Sequence, residues 1–141
     1  MTNQEFLTPV LILIIWTLVM WIWMYLTRIP AMTAAKIDPN DARHPGTFSD
    51  RIPSNVRAVA DNYNHLHEQP TLFYALMLFA AVTGGGTYTM LYLAFGYVGL
   101  RVLHSLVQVL SPNVTLRFLV FSISTIVLIA MAVIEALRVF L

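Results

Sequence analysis

Apolar runs long enough to cross a bilayer alternate along this chain with short polar segments. Leu7 to Leu26 holds 20 residues without a charge, and a helix needs about 20 apolar residues to span the hydrocarbon core. Pro9 falls in its first turn, where a missing N–H costs little. Trp21, Trp23 and Tyr25 suit an interfacial belt at its far end. Arg28 and Pro30 are expected to end it. Residues 31–53 are polar and rich in turn formers, Asp38-Pro39-Asn40-Asp41, His44-Pro45-Gly46 and Ile52-Pro53, so that 28–54 reads as the longest loop. Ser54 suits a helix cap. One helix is then expected from Asn55 to Val82, polar in its first half, apolar from Thr71, kinked at Pro70 and ended by Gly84-Gly85-Gly86. Tyr88–Leu110 and Val114–Leu137 read as two further spans around the turn Ser111-Pro112-Asn113. The pattern predicts an all-α membrane protein, a single domain of four transmembrane helices over 7–26, 55–82, 88–110 and 114–137.

Composition makes lipid the expected solvent. Of 141 residues, 58% are hydrophobic and 11% charged, against roughly 25% charged in a soluble domain. The mean hydropathy is +0.72. A net charge of +1 argues against a nucleic-acid partner, which needs a concentrated basic patch. There is no cysteine, which excludes disulfides, thiolate metal sites and a cysteine nucleophile; any thiol must arrive with a substrate. The opening Met-Thr-Asn-Gln-Glu-Phe carries an acid and no base, and the apolar run after it is too long for a secretory signal, so it reads as a first span. Arg28, Lys36, Arg43, Arg51 and Arg57 cluster in and beside the long loop, while the N-terminal tail and the 83–87 turn have no basic residue. The positive-inside tendency predicts a cytoplasmic loop, with Arg117 on the same side and both termini outside.

The polar residues inside the apolar pattern carry the candidate chemistry. Arg57, Asp61, Asn64 and Glu68 are spaced i, i+4, i+7 and i+11, which puts them within roughly a 60° arc of one helix. They read either as a solvated lead-in to the span with an Arg57–Asp61 pair, or as a binding face. Glu68 favours the second reading, because a carboxylate beside an apolar run is costly unless paired or facing a wet cavity. On the third span, Arg101, His104, Ser105 and Gln108 share a face. Arg101 lies 13 residues from Tyr88 and 9 from Leu110, a depth at which arginine faces protein or water rather than lipid. An ion pair with Glu68 or Asp61 is one expectation for it, and a ligand another. His104 reads as an interhelical hydrogen-bonder or a ligand-binding residue. Arg28 and Arg117 either join the same site or snorkel to headgroups, as Arg138 and Lys36 are expected to do. His44 and His65 suggest no role. A site of arginines facing Asn64 and Glu68 fits a small zwitterionic, carboxylate-rich ligand.

Three separated motifs resemble the MAPEG family, the membrane-associated proteins in eicosanoid and glutathione metabolism. The first is Arg57-Ala58, then Asn64-His65-Leu66-His67-Glu68-Gln69-Pro70 and Leu72-Phe73, similar to the bacterial type. The second is Arg101-Val102-Leu103-His104. The third is Pro112-Asn113 with Arg117, sixteen residues after Arg101 as in microsomal glutathione transferases. The resemblance covers nearly the whole chain. It implies a four-helix bundle assembling as a homotrimer, in a bacterial inner membrane, with glutathione bound between protomers on the cytoplasmic side. It implies that Arg28, Arg57, Asn64, His67, Glu68, Arg101, His104 and Gln108 line the glutathione site and that Arg117 stabilises the thiolate. In the register set by Pro70 the family glutamate falls on His67, whereas helical phase favours Glu68. Gln108 stands where many members carry a tyrosine.

The activity implied is conjugation or reduction of a lipophilic electrophile or lipid hydroperoxide by glutathione or a related thiol, with glutathione as co-substrate and no metal. A non-catalytic lipid-binding or scaffold member of the same fold is the alternative. A small multidrug transporter relaying charge through Glu68 and Arg101 fits less well, because the arginines gather at one side rather than at the midplane.

Overall fold

In each long helix the buried positions recur at intervals of three and four. In α1 (Asn3–Ala34) they include Phe6, Leu13 and Met20, one heptad apart. In α4 (Tyr88–Leu110) they are Met90, Ala94, Tyr97, Arg101 and His104, with Val98 and Ser105 beside them. In α5 (Val114–Phe140) they are Val120, Ser124, Leu128, Met131 and Glu135. The remaining faces expose large aliphatic and aromatic residues along most of their length, among them Leu11, Ile15, Ile22, Phe118 and Ile126, as a chain dissolved in lipid requires. This computed structural model describes residues 1–44 and 46–141; Pro45, in the turn expected at 44–46, lies outside them.

Three helices, α1, α4 and α5, are long and apolar enough to cross a membrane. The expected second span differs. It is two helices, α2 (Ser54–His65) and α3 (Gln69–Val82), separated by the turn Leu66-His67-Glu68. Pro70 is the physical reason, since it can neither donate to the carbonyl of Leu66 nor clear it sterically. It sits instead in the first turn of α3, where no intrahelical donor is missed. The 14 residues of α3 reach about 21 Å at 1.5 Å per residue. That is short of the roughly 30 Å hydrocarbon core, so the crossing must draw on the end of α2 as well.

The first helix also exceeds its expected end. α1 continues through Arg28 and past Pro30 to Ala34, so the loop opens at Ala35 rather than at residue 28. The loop folds on itself. Ile37, Ile52 and Val56 form a small apolar cluster with Met32 and Phe48 packed against it. Arg51 donates to the Ala35 carbonyl and stands over the Phe48 ring.

Polar pins cross the apolar interior. Trp16 Nε1 donates to Ser105 Oγ at 3.1 Å, Tyr97 Oη to Gln69 Oε1 at 3.3 Å, and Gln69 Nε2 to Thr125 Oγ1 at 2.8 Å. At the end holding both termini, Arg138, expected to reach for headgroups, is bonded to protein groups. Its guanidinium donates to Glu135 Oε2 at 2.7 and 3.1 Å and to the Thr83 carbonyl and hydroxyl at 3.1 and 2.6 Å, tying α5 to the end of α3.

Candidate functional site

At the opposite end, where α2 begins and α4 turns into α5, the bundle opens into a polar cleft. A cavity of about 390 Å³ is lined by Asp61, Asn64, His65, Glu68, Gln108 and Arg117. A larger one of about 500 Å³ adjoins it toward the loop end and shares Asp61, Gln108 and Arg117; Ser54, Asn55, Arg57, Ser111 and Asn113 complete its polar wall. Four elements build the cleft. α2 presents Arg57, Asp61 and Asn64 at intervals of four and three. The 66–68 turn presents Glu68, α4 presents Gln108, and α5 presents Arg117 from its first turn, just after the Asn113 cap.

The helix break separates the two residues competing for the acidic role. Glu68 lines the cavity. His67 turns away, its Nδ1 2.9 Å from the Tyr63 carbonyl and its ring packed on Tyr63, and it lines none of the three described cavities.

Arg101 and His104 are not in the cleft wall but directly behind it. Arg101 is fully buried, and its three guanidinium nitrogens have no hydrogen-bond partner among the described residues. The ion pair expected with Glu68 or Asp61 is not formed. The carboxylate–base pairs among the described residues are His65–Glu68 and Arg138–Glu135, so Arg57 and Asp61, though neighbours in the cleft, are not paired either. Phe121 supplies a ring face 5.4 Å from the Arg101 guanidinium. His104 is buried with Nδ1 unpartnered. Its ring centroid lies 5.1 Å from His65 and 5.9 Å from Phe121. An unpaired buried guanidinium is costly. Arg101, His104 and the unpartnered Oε1 of Gln108 together form a polar interior that an anionic, hydrogen-bonding ligand would satisfy.

Arg28 opens elsewhere. It lines a separate cavity of about 370 Å³ between α1 and α2, with Tyr25, Ile29, Met32 and Tyr63, and shares only Asn64 with the cleft. Within one chain it is therefore apart from the other arginines.

One residue that the sequence left without a role belongs to the site. His65 lines the cavity, bonds Glu68 through Nδ1 at 2.9 Å and stacks on Phe121 at 5.3 Å. Its spacing of three from Glu68 was the available signal. That signal is weak while an unbroken helix is assumed.

A bundle of long apolar helices whose core seam turns polar at one end, where it meets an open cleft of arginine, carboxylate and amide groups, defines an integral membrane protein with a polar cleft as its candidate site. A family model described as the MAPEG family matches residues 6–137, and the chain belongs to that family. No curated protein and no solved structure matched the chain.

Proposed function

We propose that the protein is a thiol-dependent transferase or peroxidase that uses glutathione, or a related thiol, against lipophilic electrophiles or lipid hydroperoxides. The observation that carries this reading is the cleft itself, which joins Asp61, Asn64 and Glu68 to Gln108 and Arg117. Glu68 and Asp61 suit the ammonium of a γ-glutamyl group. Arg57 and Arg101 suit the two carboxylates of glutathione, one on the γ-glutamyl group and one on the glycine, because a guanidinium fork matches a carboxylate bidentately. Asn64, Gln108 and His104 offer hydrogen bonds to the peptide. Arg117 would hold the sulfur as thiolate, since a nearby guanidinium favours the charged form. The thiolate would then attack an electrophile arriving from the lipid, forming a carbon–sulfur bond and releasing the leaving group.

The separation of Arg28 from the cleft fits a homotrimer in which a second copy brings its own Arg28 to the site. His67, outside the cleft, is left with a contact to Tyr63 rather than to the ligand. Gln108 keeps a second reading in view. Lined up where a phenol is common, it offers no acidic hydroxyl, as a non-catalytic lipid-binding or scaffold member would tolerate.

Calorimetry of the detergent-solubilised protein separates the two. The catalytic reading expects saturable binding of glutathione and of its S-alkyl derivatives, and turnover with a soluble electrophile. Binding of neither thiol ligand would leave the scaffold reading.

A further inference from the structure

Removing a proton from a thiol requires an acceptor, and Arg117 cannot be one, because a guanidinium stays protonated at any ordinary pH. We propose that His65, oriented by Glu68, is the acid–base residue of the cleft; this rests on the thiol-dependent reading above. Of the six residues lining the smaller cavity, His65, Asp61 and Glu68 can accept a proton. Imidazole is the group that exchanges protons most readily near neutral pH.

The geometry prepares it. Nδ1 of His65 lies 2.9 Å from Glu68 Oε2. An ionised carboxylate only accepts, so Nδ1 carries the hydrogen of this contact, and in the neutral ring that leaves the lone pair on Nε2. Nε2 has no hydrogen-bond partner among the described residues, and a quarter of the side chain is exposed. The ring plane is fixed by stacking on Phe121, with an interplanar angle of 25°, and by His104 at 5.1 Å. The break at 66–68 supports the pairing, because the Glu68 amide donates to the His65 carbonyl at 3.2 Å and returns the carboxylate over the imidazole. Base, orienting carboxylate and fixed ring are the parts that a histidine base requires.

Charged groups of both signs stand near it: the carboxylates of Glu68 and Asp61, and the guanidinium of Arg117 on α5, share its cavity, with Arg101 of α4 buried against the same Phe121 ring. In the reaction, the S–H proton passes to Nε2 and its electron pair stays on sulfur beside Arg117. Sulfur forms its bond to the electrophilic carbon, the bond to the leaving atom breaks with its pair, and the imidazolium returns the proton to that atom. No external oxidant or reductant is needed.

The test mixes the solubilised full-length protein with glutathione and follows the thiolate absorbance in time. Calorimetry with S-methylglutathione checks that each variant keeps its site. We expect the wild type to form bound thiolate, and His65→Ala and His65→Gln to form it about a hundredfold more slowly or worse. The final amplitude, which Arg117 sets, should be little changed. Imidazole in the buffer should restore the rate of His65→Ala, and Glu68→Gln should fall between, since it keeps a contact to the ring without the charge. If both His65 variants bind S-methylglutathione and form thiolate at the wild-type rate, His65 is not the acceptor although the thiol-dependent reading stands. If the wild type forms no bound thiolate, that reading fails and the proposal with it.

Discussion

The guanidinium of Arg101 stands 5.4 Å from the centre of the Phe121 ring, with no carboxylate among the described residues bonded to it. Arg101 occupies the same seam as Met90, Ala94 and Tyr97, so in packing terms it is a core residue carrying a charge. A shape-matched apolar residue there should not cost stability, because replacing a buried charge by a hydrophobic side chain is neutral or stabilising. Arg101→Met should keep or raise the apparent Tm. It should also weaken glutathione by about 1.5–3 kcal/mol, the worth of hydrogen bonds to a charged group, or roughly ten- to a hundredfold. Thermal unfolding and calorimetry on the same preparation check both halves. Unchanged affinity in the folded variant would exclude Arg101 from the site.

At the other end of the bundle, Gly85 is required by Glu135. A Cβ built at Gly85 would meet Glu135 Oε1 at 2.5 Å, and Glu135 is held in place by Arg138, itself tied to Thr83. Gly85→Ala should lower stability by about 1–3 kcal/mol, the usual cost of overpacking a fixed site, and leave thiol affinity unchanged. A detergent melting curve that superimposes on the wild type would show that the clamp yields freely.

The sequence made much of this legible. Apolar run lengths located α1, α4 and α5, and the spacing of Arg57, Asp61 and Asn64 put on one face three residues that line the cleft. The boundaries at prolines were the hardest to read. Pro9 and Pro30 are both carried inside α1, which runs past the expected span at each end, and Pro70 breaks its helix instead of bending it. The surroundings of a proline decide between these outcomes, and one-dimensional spacing does not hold them. The state of Arg101 was hidden as well. Its depth was readable, but the diversion of Glu68 to His65 depends on the turn at 66–68.

Orientation can be tested directly because the chain has no cysteine. Asn40→Cys in the long loop and Tyr88→Cys at the start of α4 both replace exposed side chains. In intact cells an impermeant maleimide should label position 88 and reach position 40 only after lysis. Labelling of both positions from one face would overturn the proposed topology.

If Arg28 reaches the cleft of a neighbouring copy, activity and assembly are linked. Cross-linking in mild detergent should give a trimer. Arg28→Ala should weaken glutathione binding about tenfold, within the range for a lost charge-assisted hydrogen bond. Trimers assembled from a mixture of Arg28→Ala and Arg101→Met subunits should recover some sites with both arginines. Full-affinity binding by a protein that stays monomeric would remove the neighbouring copy from the site.

Arg117 lines both polar cavities from the first turn of α5, and no carboxylate is bonded to it among the described residues. Its expected contribution is to the equilibrium between thiol and thiolate rather than to proton transfer. A thiol of ordinary pKa near 8.5 is roughly 3% ionised at pH 7. Lowering that pKa by one unit, about 1.4 kcal/mol of differential stabilisation, raises the ionised fraction to roughly a quarter. Removing a positive charge restores the higher pKa, so the loss is largest below 7.5 and vanishes above 8.5. Arg117→Ala should therefore bind S-methylglutathione, react up to about eightfold more slowly at pH 7, and approach the wild-type rate by pH 9. Arg117→Lys should keep part of the effect, because it retains the charge without the fork. The deciding measurement is the thiolate absorbance of bound glutathione against pH in the wild type and in Arg117→Ala. A titration shifted upward in the variant places the charge beside sulfur. Coincident curves would leave Arg117 as an anchor to lipid headgroups, and the thiolate would need another source of stabilisation in the cleft.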